Sequence, residues 1–390
     1  MSKLMNTYAR LPVSFVKGQG ALLQDTEGKS YLDAVSGIAV CSLGHAHPAI
    51  AEAICEQSQT LLHTSNLYQI DKQQQLAEKL CDLSGMEQVF FCNSGAEANE
   101  AAIKIARKYA NQKGITHPKI IVMENSFHGR TLATLSATGN PKVHEGFYPL
   151  VEGFERVPFD NIGAVEALEK DSDIVAILVE PVQGEGGVHV PQAGYLKTLR
   201  EICDRNDWLL MIDEIQTGIG RTGKWFAYQH EDIIPDVLSL AKALGNGMPI
   251  GATVAAKKAT DILVPGNHGT TFGGNLLACS AASAVINTLE VHNYIEHVAQ
   301  KGEQLLLDFK DALQGIDAVT NIRGKGYMIG IQLNKPCGEL VAQALEKGVL
   351  INVTRGDTIR LLPPFVMTQE QTQQLITVVS QLVKDFTQTN

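Results

Sequence analysis

The chain has little of what marks a membrane protein, a disulfide-built domain or a nucleic-acid partner. Its longest aliphatic stretch, Ile174–Val179, is far short of the ~20 residues that span a bilayer. Seven cysteines stand at positions 41, 55, 81, 92, 203, 279 and 337, with no C-x-x-C pair. An odd, scattered set predicts reduced, mostly buried thiols rather than disulfides or a zinc site. Blocks of like charge are missing too. The net charge of −10 comes from 42 acids and 32 bases spread along the chain, which argues against nucleic acid or an anionic membrane as main partner. The opening MSKLMNTYAR has neither the apolar core of a signal peptide nor the Arg/Ser-rich pattern of a transit peptide, so the expected location is cytoplasmic. There is no internal repeat and no low-complexity linker.

What is present is an ordinary globular composition, 44% hydrophobic over 390 residues, more in keeping with two structural units than one. From Gln88 onward, apolar runs alternate with helical periodicity. Strands are predicted at 88–92, 119–124, 151–159, 173–181, Trp208–Ile212, Val237–Leu240 and 249–256. Helices are predicted at 93–114, 125–139, 161–171 and 193–207. Such alternation implies an α/β protein whose mostly parallel sheet is covered by helices on both faces. Before it come short strands and turns, with a hairpin turn in DTEGKSYLD, then helices over 48–63 and 72–85. After it the pattern is helical over 276–315. The tail then alternates strands (318–324, 327–333, 349–353, 358–363) with helices (337–348, 368–386). Tail and first 45 residues are expected to pack together, because both are rich in short strands.

The candidate chemistry centres on Asp207–Gly247. Asp213 closes one apolar run and Lys242 lies two residues past the other. Open α/β sheets bind ligands at the carboxyl ends of their strands, and a buried unpaired charge is costly. Among the small residues of SLAKALGNG, a lysine has room to turn inward. Desolvation lowers its pKa and makes it a Schiff-base nucleophile. An acid beside a pyridine nitrogen keeps that nitrogen protonated. The two charges therefore point to a pyridine cofactor, held covalently by Lys242 and supported from below by Asp213. The competing reading is a surface lysine and a structural acid. Ser94, Gly95 and Ala96, between a strand and a periodic helix, serve either as a helix cap or as an anion site built on free N–H groups. Gly218–Gly223 matches G-x-G-x-x-G literally and keeps a nucleotide-dependent oxidoreductase as an alternative. No long helix opens at the motif, however, and the next strand leads to Lys242 rather than to an acid. His45 and His47 read as packing or turn residues, and no metal is expected.

RLPVSFVKGQG, YLDAVSGIAVCSLGHAHP, FFCNSGAEANEAAIKIAR, FHGRTLATLSATG, EPVQGEGGV, LLMIDEIQTGIGRTGKWFAYQH, SLAKALGNGMPIGA, HGTTFGGN and IRLLPP follow one another along the chain. In this order and spacing they resemble the class-III, ornithine-type pyridoxal-phosphate-dependent aminotransferases over nearly the whole length. The resemblance implies a PLP-dependent transferase of fold type I. Its large unit, 46–285, would hold a mostly parallel seven-stranded sheet, and a small α+β unit would come from 1–45 and 286–390. It implies a homodimer with shared active sites and small-molecule substrates. Lys242 would bind pyridoxal 5'-phosphate covalently and move the proton, with Asp213 on the ring nitrogen, Gln216 near the phenolic oxygen and Phe127 stacked on the ring. Ser94, Gly95 and Ala96 would hold the phosphate, joined by Thr271 from the second subunit. Arg130 would take the substrate's distant α-carboxylate. Arg360 would take that of glutamate or 2-oxoglutarate, pairing with Glu185 when the amine donor is bound. Tyr8 would lie on the substrate side. The donor implied is N2-acetyl-L-ornithine, with succinylornithine, ornithine or 4-aminobutyrate as alternatives. One departure is visible: Leu276 follows Asn275 where the family usually has proline, which leaves open how the next helix begins.

Overall fold

A strand apolar at every position can be buried only if both faces of its sheet are covered. The computed structural model, which describes residues 3–388, meets that requirement with seven strands. They are β1 (Gln88–Cys92), β2 (Lys119–Met123), β3 (Phe154–Val157), β4 (Ile174–Val179), β5 (Leu209–Asp213), β6 (Val237–Leu240) and β7 (Gly251–Ala255). Their order is β1-β7-β6-β5-β4-β2-β3. β7 runs antiparallel to both neighbours, and the remaining pairs are parallel. Successive side chains point to opposite faces. Leu209 and Met211 join a core with the helix Gly95–Gln112, while Leu210 and Ile212 join one with helices Tyr195–Arg205 and Leu276–Val291.

The chain ends meet. Strands Phe15–Gln19, Leu22–Asp25 and Ser30–Asp33 form a sheet that Val349–Leu350 extends in parallel. Another four-stranded sheet contains Val319–Lys325, Met328–Leu333, Thr358–Leu361 and Asn352–Thr354. Leu32 and Ala34 share a core with Phe309, Ile331 and Val379. Among the described residues, no helix is long and apolar enough to cross a membrane.

Three expected elements come out differently, the helix predicted over 161–171 being shortened to Ile162–Glu166. The helix predicted over 125–139 is confined to Leu132–Ala137. Ahead of it the backbone is bonded in a non-helical pattern, with Asn125 N donating to Gly139 O across the segment and Phe127 N to Glu180 Oε2 at 3.0 Å from outside it. The strand predicted over 349–353 is split between two sheets, at Val349–Leu350 and Asn352–Thr354. Leu276, by contrast, disturbs nothing. Asn275 caps the helix Leu276–Val291, its Oδ1 accepting from Ala278 N at 2.9 Å.

The G-x-G-x-x-G segment is a packing device. A Cβ on Gly220 (φ 89°) would lie 2.5 Å from Ile295 Cδ1, and one on Gly223 (φ 87°) 2.7 Å from Ala299 Cα. The bare glycine faces thus receive the helix Tyr294–Ala312 rather than a pyrophosphate. Between them Arg221 is fully buried. It donates from Nη1 to Tyr327 O at 3.2 Å and Pro363 O at 2.5 Å, and from Nη2 to Ser42 Oγ at 2.7 Å.

Candidate active site

β1, β2, β4, β5 and β6 all end on the same edge of the sheet, and a cavity of about 390 Å³ opens there. Asp213, the last residue of β5, and Lys242, just past β6, both line it. Lys242 has φ 45°, a conformation that costs a non-glycine residue free energy and persists only where surrounding structure imposes it. Burial pushes its amine below the ordinary lysine value, against the opposing pull of Glu185.

Asp213 is 4% exposed, and its orientation is set from three sides. Oδ2 accepts from Asn99 Nδ2 at 2.7 Å and lies 2.8 Å from His128 Nδ1, while Oδ1 accepts from Ile215 N at 3.1 Å. A carboxylate can only accept, so the imidazole proton belongs on Nδ1. Beside this group, Glu180 accepts from Phe127 N and Gly184 N, and burial raises its carboxyl to about 7. Sequence reasoning missed Asn99, His128 and Glu180. Asn99 had a signal, as a polar residue on the buried face that Ala98, Ala102 and Ile105 define along the same helix. His128 and Glu180 stood inside quoted motifs without a role.

The helix Gly95–Gln112 starts at the cavity wall. Ser94 Oγ accepts from Glu97 N and Ser94 O from Ala98 N, leaving the N–H groups of Gly95 and Ala96 without an acceptor among the described residues. A side chain on Gly95 would meet Ile215 Cδ1 at 2.7 Å, so the turn stays bare. Capping and an anion site are therefore compatible: the hydroxyl does the first and the free N–H groups allow the second.

Phe127, Gln216 and Arg130 also line the cavity, and the Arg130 guanidinium lies 5.2 Å from the Phe127 ring centroid. Arg360 is 1% exposed, and its Nη1 donates to Glu185 Oε1 at 2.6 Å. Burial pushes the Glu185 carboxyl up, but Arg360, together with Lys242 and Arg130, holds the group below its ordinary value. Arg360 and Glu185 stand behind the lining, Arg360 Nη1 lying 3.4 Å from Gln216 Oε1, and two further expected residues stay outside altogether. Thr271 is exposed and away from the lining, although neighbouring Thr270 Oγ1 accepts from Asn93 at 3.0 Å. Tyr8 is 71% exposed, with Arg10 over its ring. His45 is taken up by Asp33, Nε2 to Oδ2 at 2.8 Å.

The donor set fits a phosphorylated pyridine aldehyde. There are free N–H groups for a dianion, a lowered-pKa amine for the aldehyde, an aromatic wall, and a buried acid for a protonated ring nitrogen. Comparison with known proteins points the same way. The model of the class-III aminotransferase family matches residues 4–383. An acetylornithine aminotransferase of Nitrosomonas europaea is 55% identical over 387 residues, which cover 99% of this chain and 98% of the relative. The solved ornithine aminotransferase of Toxoplasma gondii, described with partial occupancy of PLP at its active site, is similar with a TM-score of 0.95 and 35% identity. That match covers 99% of this chain and 94% of the other. An acetylornithine aminotransferase of Elizabethkingia anophelis gives 0.87 and 37%, over 98% and 96%. The chain belongs to the class-III aminotransferases, enzymes of fold type I that use pyridoxal phosphate.

Proposed function

We propose that the protein transfers the δ-amino group of N2-acetyl-L-ornithine to 2-oxoglutarate, giving N-acetyl-L-glutamate 5-semialdehyde and L-glutamate, a step of arginine biosynthesis. The observation that carries this reading is one cavity lined by both Lys242 and Asp213, with Arg130 at its wall and the Arg360–Glu185 pair beside it. Bound pyridoxal phosphate supplies a sink for the electron pair left when the substrate carbon loses its proton.

The chain's own residues do the rest. Gly95 and Ala96 hold the phosphate with their N–H groups, and Phe127 offers a flat face to the ring. Asp213, fixed by Asn99 and His128, holds a proton on the ring nitrogen. Lys242 would be the covalent anchor, and its amine, displaced when the substrate's amine takes its place on the aldehyde carbon, would move a proton at the carbon bearing that amine. Arg130 takes the α-carboxylate of the amine donor as a two-toothed guanidinium–carboxylate pair. Arg360 takes the α-carboxylate of the acceptor after Glu185 has let go. Residues 46–285 would act as the large unit, with 1–45 and 286–390 closing over it. The working form would be a cytoplasmic homodimer in which Thr271 serves the partner's phosphate site.

The test is spectroscopic and kinetic. Wild-type protein loaded with pyridoxal phosphate should be yellow, lose that colour with borohydride, and form glutamate from acetylornithine and 2-oxoglutarate. Lys242→Ala should lose the reducible chromophore and about 10²–10⁴-fold of the rate. Faster turnover of succinylornithine, ornithine or 4-aminobutyrate would reassign the donor, and a colourless protein would sink the reading.

A further inference from the structure

Resting on that reading, we infer that Asn352 and Thr354, two residues apart on one short strand, are positioning residues that set how readily Arg360 exchanges Glu185 for a substrate carboxylate. The strand Asn352–Thr354 pairs antiparallel with Thr358–Leu361, and Asn352 lies directly opposite Arg360. Cross-strand partners of this kind share a face. Asn352 Oδ1 accepts from Arg360 Nη2 at 2.8 Å, whereas Glu185 Oε1 and, more distantly at 3.4 Å, Gln216 Oε1 are on Nη1. The fork is thus held through one nitrogen and exchanged through the other. Glu185 can leave without Asn352 letting go, and an incoming carboxylate meets a guanidinium whose plane is already fixed. Arg360 Nε is buried and has no partner among the described residues, so without Asn352 the fork would be oriented only through Nη1, by the exchangeable bond to Glu185 and the longer contact with Gln216.

Thr354 acts on the other half of the pair. Its hydroxyl donates to the main-chain carbonyl of Glu185. On either side of that carbonyl the loop is also tied. Gly184 N donates to Glu180 Oε1 at 3.4 Å, and Arg323 Nε donates to Gly187 O at 3.1 Å and Val188 O at 3.0 Å. With the backbone held at three points, Glu185 leaves Arg360 by rotating its side chain, not by moving the loop.

The experiment measures each half-reaction of the holoenzyme separately, amine donor in one and 2-oxoglutarate in the other, and takes the ratio of their kcat/KM values. Asn352→Ala removes a hydrogen bond to a charged group, so the acceptor half-reaction should fall about tenfold relative to the amine half-reaction. Asn352→Asp should lower the ratio further, because a second carboxylate on the fork competes with the substrate's. Thr354→Val loosens the main chain behind Glu185, weakens its grip on Arg360 and should raise the ratio roughly threefold. Thr354→Ser, which keeps the hydroxyl, should restore it. General loss of folding would lower both half-reactions together and leave the ratio alone. An unchanged ratio in Asn352→Ala overturns the role of Asn352, and an unchanged or lowered ratio in Thr354→Val overturns that of Thr354. Wild-type enzyme that forms no glutamate instead overturns the underlying activity before any variant is made.

Discussion

His128 Nδ1 stands 2.8 Å from Asp213 Oδ2, with both side chains buried. The contact matters because Asp213 must keep one orientation if its carboxylate is to face a ring nitrogen in the cavity it lines. About a tenfold loss of kcat is therefore expected for Asn99→Ala, which deletes the other donor to the same oxygen. Affinity for pyridoxal phosphate should weaken alongside, as read by titrating the apoprotein at the chromophore's absorbance. An unaltered titration curve and turnover would remove Asn99 from the supporting set.

Arg221 makes a prediction about stability. Its buried guanidinium bonds two carbonyls and a hydroxyl, and burial pushes it down to about 9. Arg221→Ala strands those buried acceptors and opens a void, with an expected cost of roughly 3–5 kcal/mol in denaturant unfolding. Arg221→Lys should recover only part of it, since an ammonium cannot reproduce the planar fork. Equal stability of the lysine variant and wild type would contradict this account.

The His45–Asp33 pair gives a pH dependence. Asp33, and then Cys41, raise His45 from 6.5 to about 9. A histidine whose folded pKa is raised stabilises the fold fully below its unfolded value and loses that contribution as pH rises through the folded one. His45→Ala should therefore cost on the order of 2 kcal/mol at pH 6, and the deficit should shrink between pH ~6.5 and ~9. Thermal unfolding across that range reads it directly. A deficit independent of pH would assign His45 to packing alone.

Thr271 tests the proposed shared site. In a dimer that exchanges this residue, mixing Lys242→Ala subunits with Thr271→Val subunits creates one site with both wild-type groups. The mixture should then exceed the summed activities of the separate variants, by up to about half of wild type in each mixed dimer. Strictly additive activities would place Thr271 with its own chain or outside the site.

Much of this molecule was legible in its residues because local patterns carried it. Uniformly apolar runs such as Ile174–Val179 have no stable place except a sheet covered twice, and Asn275 caps its helix whether proline or Leu276 follows. Asp213 and Lys242 stood out because charge after a buried strand demands a partner. The fold decided what depends on approach between distant segments. The 125–139 segment surrendered most of its helix to tertiary hydrogen bonds, and 349–353 divided between sheets that only a folded chain defines. Likewise Asn99 and His128 converge on Asp213 from 114 and 85 residues away, and Asn352 reaches Arg360 across a strand pair. Periodicity and strand-end charge are properties of neighbours in sequence. Hydrogen-bond partnership between side chains far apart in the chain is a property of position in space, and no local pattern encodes it.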